Sequence, residues 1–193
     1  MGGLRTVLAS RNAHKARELE RLLPGWTIEP LDAGEWPDEA GETYYENALA
    51  KARFARDAGD RDCWTIGEDS GLEVAALGGR PGLGSARYAP AGAPAIAKLL
   101  GEIEGVSDRR ARYVSELVAI APGGEEVRGS GVLEGRIAAE PRGSEGFGYD
   151  PVFVPDGEEL TVAELGEGWK AEHSHRARAA RALREAVERL GVA

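Results

Sequence analysis

The stretch Gly67 to Leu72, GEDSGL, directly follows the short apolar run Cys63 to Ile66. The apolar run predicts a buried strand, so the hexapeptide brings Glu68 and Asp69 to the end of that strand. A lone carboxylate is costly to remove from water, and buried acids therefore usually have a partner. Side chains alternate along a strand, so the two acids are expected on opposite faces of the sheet. Asp69, nearer the strand's end, is our choice for the acid that faces a cleft, and an Asx-type turn in which it caps local amides is the alternative.

Helices and strands are predicted to alternate on both sides of this stretch, which indicates the α/β class. The glycine-interrupted hairpin between residues 112 and 139 argues against a purely parallel sheet. We find no linker or internal repeat, and we expect residues 1–193 to form a single domain. The expected strands are 4–9, 26–31, 63–68, 112–121, 125–139 and 151–154, with extended chain at 72–77. The expected helices are 13–23, 43–58, 91–104 and 174–190, the last with Ala179, Leu183, Val187 and Leu190 on its inner face.

Composition limits the classes of partner. The chain has 33 acidic and 24 basic residues and a formal net charge of −9, which argues against a nucleic-acid-binding surface. No apolar run approaches the roughly 20 residues of a membrane span, so we expect no membrane partner. Cys63 is the single cysteine, which fits a reducing compartment and a cytoplasmic location. Only four of the basic residues are lysine, and a lysine among arginines can mark a site for a compact charge: Lys15, Lys51, Lys98 and Lys170.

Two segments in the first third of the chain could bind an anion or a metal. Ser10 to Lys15 joins a strand to a helix, where free N–H groups and the helix dipole favour a phosphate within reach of Lys15. The alternative is an ordinary helix cap followed by a solvated lysine. In the second segment, Thr43 and Glu46 form a capping box that starts a helix. Glu39 lies outside that box and is either a ligand or a solvated loop carboxylate.

Two segments in the last third could bind a flat base. In Gly146 to Pro151, GFGYDP, two aromatic rings and an acid could stack on a base and accept its ring N–H groups. The alternative is a turn with aromatic packing. Ser174 is a plausible N-cap that places His175 and Arg176 in the first helical turn, where positive charge opposes the dipole unless an anion or a carbonyl oxygen lies nearby. The alternative is the solvated face of a basic helix.

The order of these segments is more specific than any one of them. It resembles the family of pyrophosphatases that hydrolyse inosine and xanthosine triphosphates, from residue 4 to about residue 190. The matching blocks are Ser-x-Asn-x-x-Lys-x-x-Glu (10–18), Glu-x-Gly-x-Thr-Tyr-x-Glu-Asn-Ala (39–48), Glu-Asp-Ser-Gly-Leu with Gly-Gly-x-Pro-Gly-x-x-Ser-Ala-Arg-Tyr (68–88), Gly-Phe-Gly-Tyr-Asp-Pro (146–151) and Ser-His-Arg (174–176).

The resemblance implies a fold and a reaction. The fold is an elongated, two-lobed α/β structure with a long mixed β-sheet flanked by helices and an active-site cleft between the lobes. The reaction is the Mg²⁺-dependent hydrolysis of a nucleoside triphosphate to the monophosphate and pyrophosphate, with ITP, dITP and XTP as substrates, and the enzyme is a homodimer. A 6-keto purine would accept a hydrogen bond from Arg176 or a backbone N–H, whereas the amino group of adenine would leave that donor unmatched.

The resemblance also implies residue roles. Asp69 would be the catalytic base, and Glu39 and Asp69 would hold Mg²⁺, with Glu68 as a lesser candidate because it replaces a more usual aspartate. Arg11 stands where the family usually has glycine, so the loop adopts a negative φ there or gains a charge. The substrate contacts would come from residues in four segments of the chain: Ser10, Arg11, Asn12, Ala13, His14, Lys15 and Lys170 at the phosphates, Ser70 at the substrate, and Phe147, Gly148, Tyr149, Asp150, His175 and Arg176 at the base.

Two other classes of function remain open. A non-catalytic nucleotide-binding module that senses triphosphates would share the anion loop and the aromatic segment but would not need Glu39 and Asp69. A pyrophosphatase of other modified nucleotides would keep these acids and differ in the base that it accepts.

Overall fold

The structure of the chain is a computed structural model. It describes residues 3–10, 12–34, 36 and 39–191, with only the backbone of residues 13 and 14, so Arg11 of the predicted phosphate loop lies outside the described residues. The strands are β1 (Leu4–Ala9), β2 (Trp26–Pro30), β3 (Trp64–Val74), β4 (Arg110–Ile120), β5 (Glu126–Ile137) and β6 (Phe153–Pro155). The α-helices are α1 (Ala13–Leu22), α2 (Tyr44–Ala58), α3 (Ala93–Glu102), α4 (Val162–His173) and α5 (His175–Arg189).

The six strands form one sheet in the order β2-β1-β3-β4-β5-β6. Strand β1 runs parallel to both β2 and β3, whereas β5 and β6 are antiparallel. The predicted mixed α/β fold with helices flanking the sheet is therefore confirmed. The predicted cleft between lobes stays a prediction. Within the described residues, no helix is both long enough and apolar enough to cross a bilayer.

The chain divides into two compact units. Unit 1 contains the described residues up to Asp69, residues 115–131 and the described residues from Arg176 onward. Unit 2 contains Ser70–Val114 and Val132–His175. Strands β3, β4 and β5 each contribute residues to both units, so Asp69 and Ser70 belong to different units although they are adjacent in one strand. The single domain expected for residues 1–193 stays a prediction.

Unit 1 has three layers. Helices α1 and α5 pack on one face of its strands through Leu19, Leu23, Ala179, Leu183 and Val187, all buried. Helix α2 packs on the other face, where its buried Ala48 and Ala52 meet Val118 and Ile120 of β4. Trp64 and Ile66 of β3 belong to the first cluster. Because side chains alternate, Glu68 continues on the α1 and α5 face and Asp69 faces α2.

Gly67 sets how closely α2 approaches β3. The helix begins at the predicted capping box, in which Thr43 Oγ1 accepts from Glu46 N–H and the Glu46 carboxylate accepts from Thr43 N–H. A Cβ atom at Gly67 would collide with the carbonyl oxygen of Ala48 and the backbone nitrogen of Ala52. The glycine is therefore required for space, and the contact brings the first turns of α2 beside Asp69.

Unit 2 has its own core. Helix α3 contributes Ile96 and Leu99, and the strands contribute Leu72 and Phe153, all buried. Helix α4 packs against this cluster through Val162.

Four expectations about secondary structure are wrong. Strand β3 continues to Val74, so GEDSGL lies inside a strand rather than after one, and Asp69 is not in an Asx-type turn. The extended segment expected up to residue 77 ends instead in a 3₁₀ turn at Ala75–Leu77. The strand expected at 151–154 begins only at Phe153, after another 3₁₀ turn. Leu190, expected on the inner face of the last helix, is 41% exposed.

Helix α4 is absent from the sequence expectations. It begins at a capping box formed by Thr161 and Glu164. The same Thr-x-x-Glu signal predicted α2, so the sequence did contain the information for this helix. Gly166 interrupts the helical backbone with a φ of 83°, which weakens the helical pattern.

Candidate active site

The first candidate group, called the Asp69 group, consists of Glu39, Asn47, Lys51 and Asp69. Asn47 and Lys51 lie four residues apart on α2 and therefore project from one face of the helix. Asn47 Nδ2 donates to Asp69 Oδ2 at 3.1 Å, and Lys51 Nζ donates to Asp69 Oδ1 at 2.8 Å. Each oxygen of the carboxylate thus has its own donor from the same helix, which fixes its orientation.

Lys51 is the centre of this group. Its ammonium also forms an ion pair with Glu39 and donates to the carbonyl oxygen of Glu68 at 3.2 Å. Asn47 Oδ1 accepts from Gly41 N–H at 2.9 Å, which ties the loop that carries Glu39 to the start of α2. One ammonium therefore lies between two carboxylates that come from a loop and a strand.

The environment shifts two pKa values in this group. Burial raises the pKa of Asp69, and Lys51 and Asn47 only partly oppose that shift. Burial alone would lower the pKa of Lys51, but the carboxylates of Asp69 and Glu39 outweigh it, so the Lys51 pKa is raised. With both acids ionised and Lys51 protonated, the three side chains carry one net negative charge.

The second group, called the Glu68 group, consists of Lys15, Glu18, Glu68, Ser115 and Arg176 on the opposite face of the sheet. Arg176 is 2% exposed and donates through Nη1 to Glu18 Oε2 at 2.6 Å. Its Nε and Nη2 donate to Glu68 Oε1 at 3.2 and 3.1 Å. Lys15 forms an ion pair with the other oxygen, Glu68 Oε2. Two cations and two anions give a neutral buried set, and Glu68 and Glu18 raise the Arg176 pKa although burial opposes the shift.

The third group, called the Asp150 group, lies in unit 2 and consists of Tyr113, Phe147, Asp150, Lys170 and His175. Asp150 Oδ2 accepts from Lys170 Nζ at 2.8 Å and from Phe147 N–H at 2.9 Å, and Tyr113 Oη lies 3.3 Å from Oδ1. The Lys170 ammonium also lies 4.0 Å from the centre of the Phe147 ring. The Tyr113 ring stacks on His175 with the centres 4.5 Å apart and the planes 10° from parallel.

The GFGYDP turn shows the predicted aromatic packing, and its contact with a base stays a prediction. Tyr149 is buried in the unit 2 core, burial raises its pKa to about 12, and its hydroxyl lies 3.3 Å from the Ser85 carbonyl oxygen. Gly146 has a φ of 79°, and a Cβ atom there would collide with the Asp150 carboxylate. Gly148 also has a positive φ, 66°. Tyr149 thus packs in the core, whereas Phe147 and Asp150 both contact the Lys170 ammonium.

The predicted phosphate residues are distributed between the two units. Ser10 Oγ accepts from Asn12 N–H at 3.1 Å, and Asn12 Oδ1 accepts from Lys15 N–H at 3.4 Å, so Asn12 is the N-cap of α1. Lys170, predicted at the phosphates, contacts the base-segment residues Phe147 and Asp150, and its contact with phosphate stays a prediction. Ser70 lies in β3 directly after Asp69.

Five residues of these groups had no predicted role, among them Ser115, which lies in the same strand as Tyr113. Asn47 lies within the 39–48 block and Lys51 follows that block, and their i, i+4 spacing together with the scarcity of lysine was the available signal. Glu18 is the last residue of the first matched block, so the sequence indicated its position but not its partner. Tyr113 had no signal, because the alternating strand pattern that contains it predicts only a buried face. Among the described residues, no set of three or more His, Cys, Asp or Glu side chains could hold a metal ion, and the Asp69 group offers two carboxylates.

The chain is a mixed α/β protein in which each of the three groups pairs a lysine with at least one carboxylate. Lysines and carboxylates are the side chains that proteins use to bind phosphorylated ligands and their cations. The Ham1 family model matches residues 6–186. The chain belongs to the Ham1 family.

Curated relatives match over nearly the whole chain. A dITP/XTP pyrophosphatase from Nocardia farcinica is 44% identical over 199 residues, covering 96% of this chain and 96% of the relative. Another, from Deinococcus radiodurans, is 43% identical and covers 93% of this chain and 90% of the relative. Among solved structures, the Staphylococcus aureus Ham1 protein superposes with a TM-score of 0.83 at 34% identity, covering 96% of this chain and 99% of that one. A HAM1 protein from Coxiella burnetii gives 0.82 at 35% identity, with the same coverage.

Proposed function

We propose that this chain hydrolyses the purine nucleoside triphosphates dITP, ITP and XTP to the monophosphate and pyrophosphate, and thereby removes altered bases from the nucleotide pool. The observation that carries the proposal is the match to proteins named dITP/XTP pyrophosphatase, at 44% and 43% identity over at least 93% of this chain. The Asp69 group supports it independently, because it supplies a buried carboxylate, a second carboxylate and a lysine at one position.

We propose that Mg²⁺ is held by Glu39 and Asp69. The donor set fits this ion, because one carboxylate oxygen of each residue already converges on a single cationic atom, Nζ of Lys51. Mg²⁺ typically takes one or two carboxylates together with phosphate oxygens and waters. Both oxygens of Glu68 already have cationic partners, Arg176 and Lys15, so the proposal does not use Glu68 as a ligand. When bound, the ion neutralises phosphate charge and lowers the pKa of a coordinated water.

Asp69 is the proposed base that orients the attacking water and accepts its proton. Asp69 is 5% exposed and accepts a hydrogen bond from Asn47, so its carboxylate is held in place, which supports the assignment. The hydrogen bond from Asn47 holds Oδ2, so the carboxylate keeps one orientation while Oδ1 changes its partner. Lys15, at the start of α1, is proposed to bind the phosphates.

The base is proposed to contact the residues of the Asp150 group. Phe147 offers a ring face, and the carboxylate of Asp150 can accept from a purine ring N–H. His175 is held by its stacking on Tyr113. The predicted contact of Arg176 with the base stays a prediction, since its guanidinium donates to Glu18 and Glu68.

We further propose that the protein acts in the cytoplasm as a homodimer. The compartment is supported by a single, buried cysteine, Cys63, and by a substrate that belongs to the nucleotide pool. The dimer rests on the family resemblance, and light scattering after size-exclusion chromatography tests it: a monomer mass would overturn it.

The decisive experiment measures phosphate release from ITP, dITP, XTP, GTP, ATP and dUTP in the presence of inorganic pyrophosphatase, with Mg²⁺ or with EDTA. We expect release from the first three nucleotides that requires both Mg²⁺ and the coupling enzyme. Nucleotide binding without hydrolysis would indicate a sensing module. A preference for dUTP would indicate a pyrophosphatase of other nucleotides, and either result would overturn the proposal.

A further inference from the structure

Lys51 occupies the position between Glu39 and Asp69 that the proposed metal requires. We infer that Lys51 couples metal binding to triphosphate binding: its ammonium holds the two carboxylates in the free protein and leaves them only when phosphate oxygens are present to receive it. This inference rests on the proposed function and assigns to Lys51 a role in the order of binding.

The contacts of the ammonium group carry the inference. Lys51 Nζ has three oxygen partners: Asp69 Oδ1 at 2.8 Å, the Glu68 carbonyl at 3.2 Å and the Glu39 carboxylate. An ammonium has three N–H donors, so these oxygens satisfy all of them. Two of the three are the oxygens that a divalent cation would need. A like charge about 4 Å away weakens cation binding by roughly a thousandfold or more at an effective dielectric near 20, so both cations cannot remain.

The surroundings allow Lys51 to leave without loss of the site. The side chain of Lys51 is 15% exposed and that of Glu39 is 25% exposed, so solvent reaches this position. The hydrogen bond from Asn47 to Asp69 Oδ2 does not involve Lys51 and keeps the carboxylate in place. The lysine stem has four flexible carbons, so the ammonium can move by several ångströms while α2 stays fixed.

The charges explain why a triphosphate is needed. Without nucleotide, an arriving divalent cation would have to displace Lys51 from two carboxylates and leave the ammonium without an anionic partner. A triphosphate supplies new anionic oxygens for the ammonium, which removes this penalty. Metal and triphosphate therefore strengthen each other's binding, and this coupling is reciprocal by linkage.

The test measures Mn²⁺ affinity by water proton relaxation enhancement, which separates protein-bound Mn²⁺ from Mn²⁺ held by nucleotide alone. The samples are the wild-type protein, Lys51→Met, Lys51→Gln and the control Lys98→Met, each with and without α,β-imido-ITP, which cannot be cleaved between its α and β phosphates. Lys98 lies on α3, packs over the Tyr88 ring and belongs to none of the three groups. Without nucleotide, we expect both Lys51 variants to bind Mn²⁺ at least about tenfold more tightly than the wild type. The wild type and Lys98→Met should gain affinity when the analogue is added.

Three results would overturn the inference. The Lys51 variants could bind Mn²⁺ no more tightly than the wild type. The wild type could bind Mn²⁺ equally well with and without the analogue, a result that needs no variant. If no protein bound Mn²⁺ in any arm, the proposed metal site would be wrong as well.

Thermal melting checks that the variants fold, and Mn²⁺ alone should raise the Tm of the Lys51 variants more than that of the wild type. A failure of the hydrolysis panel remains distinguishable, because the Mn²⁺ measurement requires no turnover.

Discussion

Glu68 and Asp69 are neighbours in one strand, yet they lie in opposite kinds of environment. Glu68 faces α1 and α5, where Arg176 and Lys15 take both of its oxygens and its side chain has no exposed surface. Asp69 faces α2 and shares Lys51 with Glu39, and the side chains of this second set are partly open to solvent. The first acid is fully buried between two cations, whereas the second shares its lysine with Glu39, which is 25% exposed. The exposure of Glu39 favours exchange of that lysine for another cation.

The cations that pair with these two acids, Arg176 and Lys51, also differ in kind. The planar guanidinium of Arg176 donates hydrogen bonds to two carboxylates at once, and an arginine stays protonated at any working pH. Lys51 is a point charge on a flexible stem, held between carboxylates that can bind other cations. The two faces of β3 therefore differ in their basic residue, arginine on one and lysine on the other, as well as in burial.

The largest expected effect is on catalysis and comes from Asp69→Asn. The substitution keeps the shape of the side chain and removes the charge that would bind the metal and accept the proton. We expect kcat for dITP to fall by at least about a thousandfold, while circular dichroism shows a native fold. Glu68→Gln is the matched substitution on the other face and should act mainly on stability. Equal losses of kcat in both variants would break the comparison.

The next effect is on stability and comes from Arg176→Met. Two buried carboxylates, Glu18 and Glu68, would lose their shared cation, and the free energy of unfolding should fall by about 3–5 kcal/mol. Urea denaturation measures this change. Arg178→Met, two positions along the same helix at an exposed site, is the control and should change stability by less than about 0.5 kcal/mol. A variant of Arg176 as stable as the control would show that the Glu68 set is not held by charge.

Local sequence signals predicted most of the secondary structure of unit 1. The strands expected at 4–9 and 26–31 correspond to β1 and β2, and the Thr43 and Glu46 pair located the start of α2 to within a residue. The length of β3 was mispredicted because two glycines and two acids in GEDSGL are typical of a turn. In the structure these glycines lie within a strand, and Gly67 is there because the α2 backbone lies against it. A tertiary contact thus overrides the local preference.

The candidate site was predicted only in part, again because tertiary contacts are not visible in the local sequence. Asp69 and Glu39 were found from their blocks, and the two faces of Glu68 and Asp69 followed from the strand period. Their partners did not follow, because an ion pair depends on spatial proximity rather than on sequence spacing. Arg176 and Glu18 are 158 positions apart in the chain. Lys51 lies just after a matched block, and nothing local to it indicated that its ammonium would bridge two acids.

A smaller effect is expected from Gly67→Ala, which tests how the face of Asp69 is built. The new methyl group would collide with the backbone of Ala48 and Ala52 and push α2 away from β3. We expect a loss of about 1–3 kcal/mol in unfolding free energy together with a lower kcat, because Asn47 and Lys51 move with the helix. Gly101→Ala in α3 is the control, since its Cβ would meet no atom within 4 Å, and this variant should be unchanged or slightly more stable. A Gly67→Ala enzyme with normal kcat would show that the spacing of α2 does not position the Asp69 group.

The smallest effect is expected from Ser115→Ala, and it decides what holds Glu68. The Ser115 hydroxyl lies 3.4 Å from Glu68 Oε1, near the limit of a hydrogen bond, and that oxygen already accepts two N–H groups from Arg176. If charge pairing holds Glu68, the loss of this neutral donor should cost less than about 1 kcal/mol in urea denaturation and leave kcat unchanged. A loss as large as that of Arg176→Met would mean that Glu68 depends on the hydroxyl. The Glu68 group would then be held by hydrogen bonds rather than by ion pairs. Charge would no longer explain how it differs from the Asp69 group.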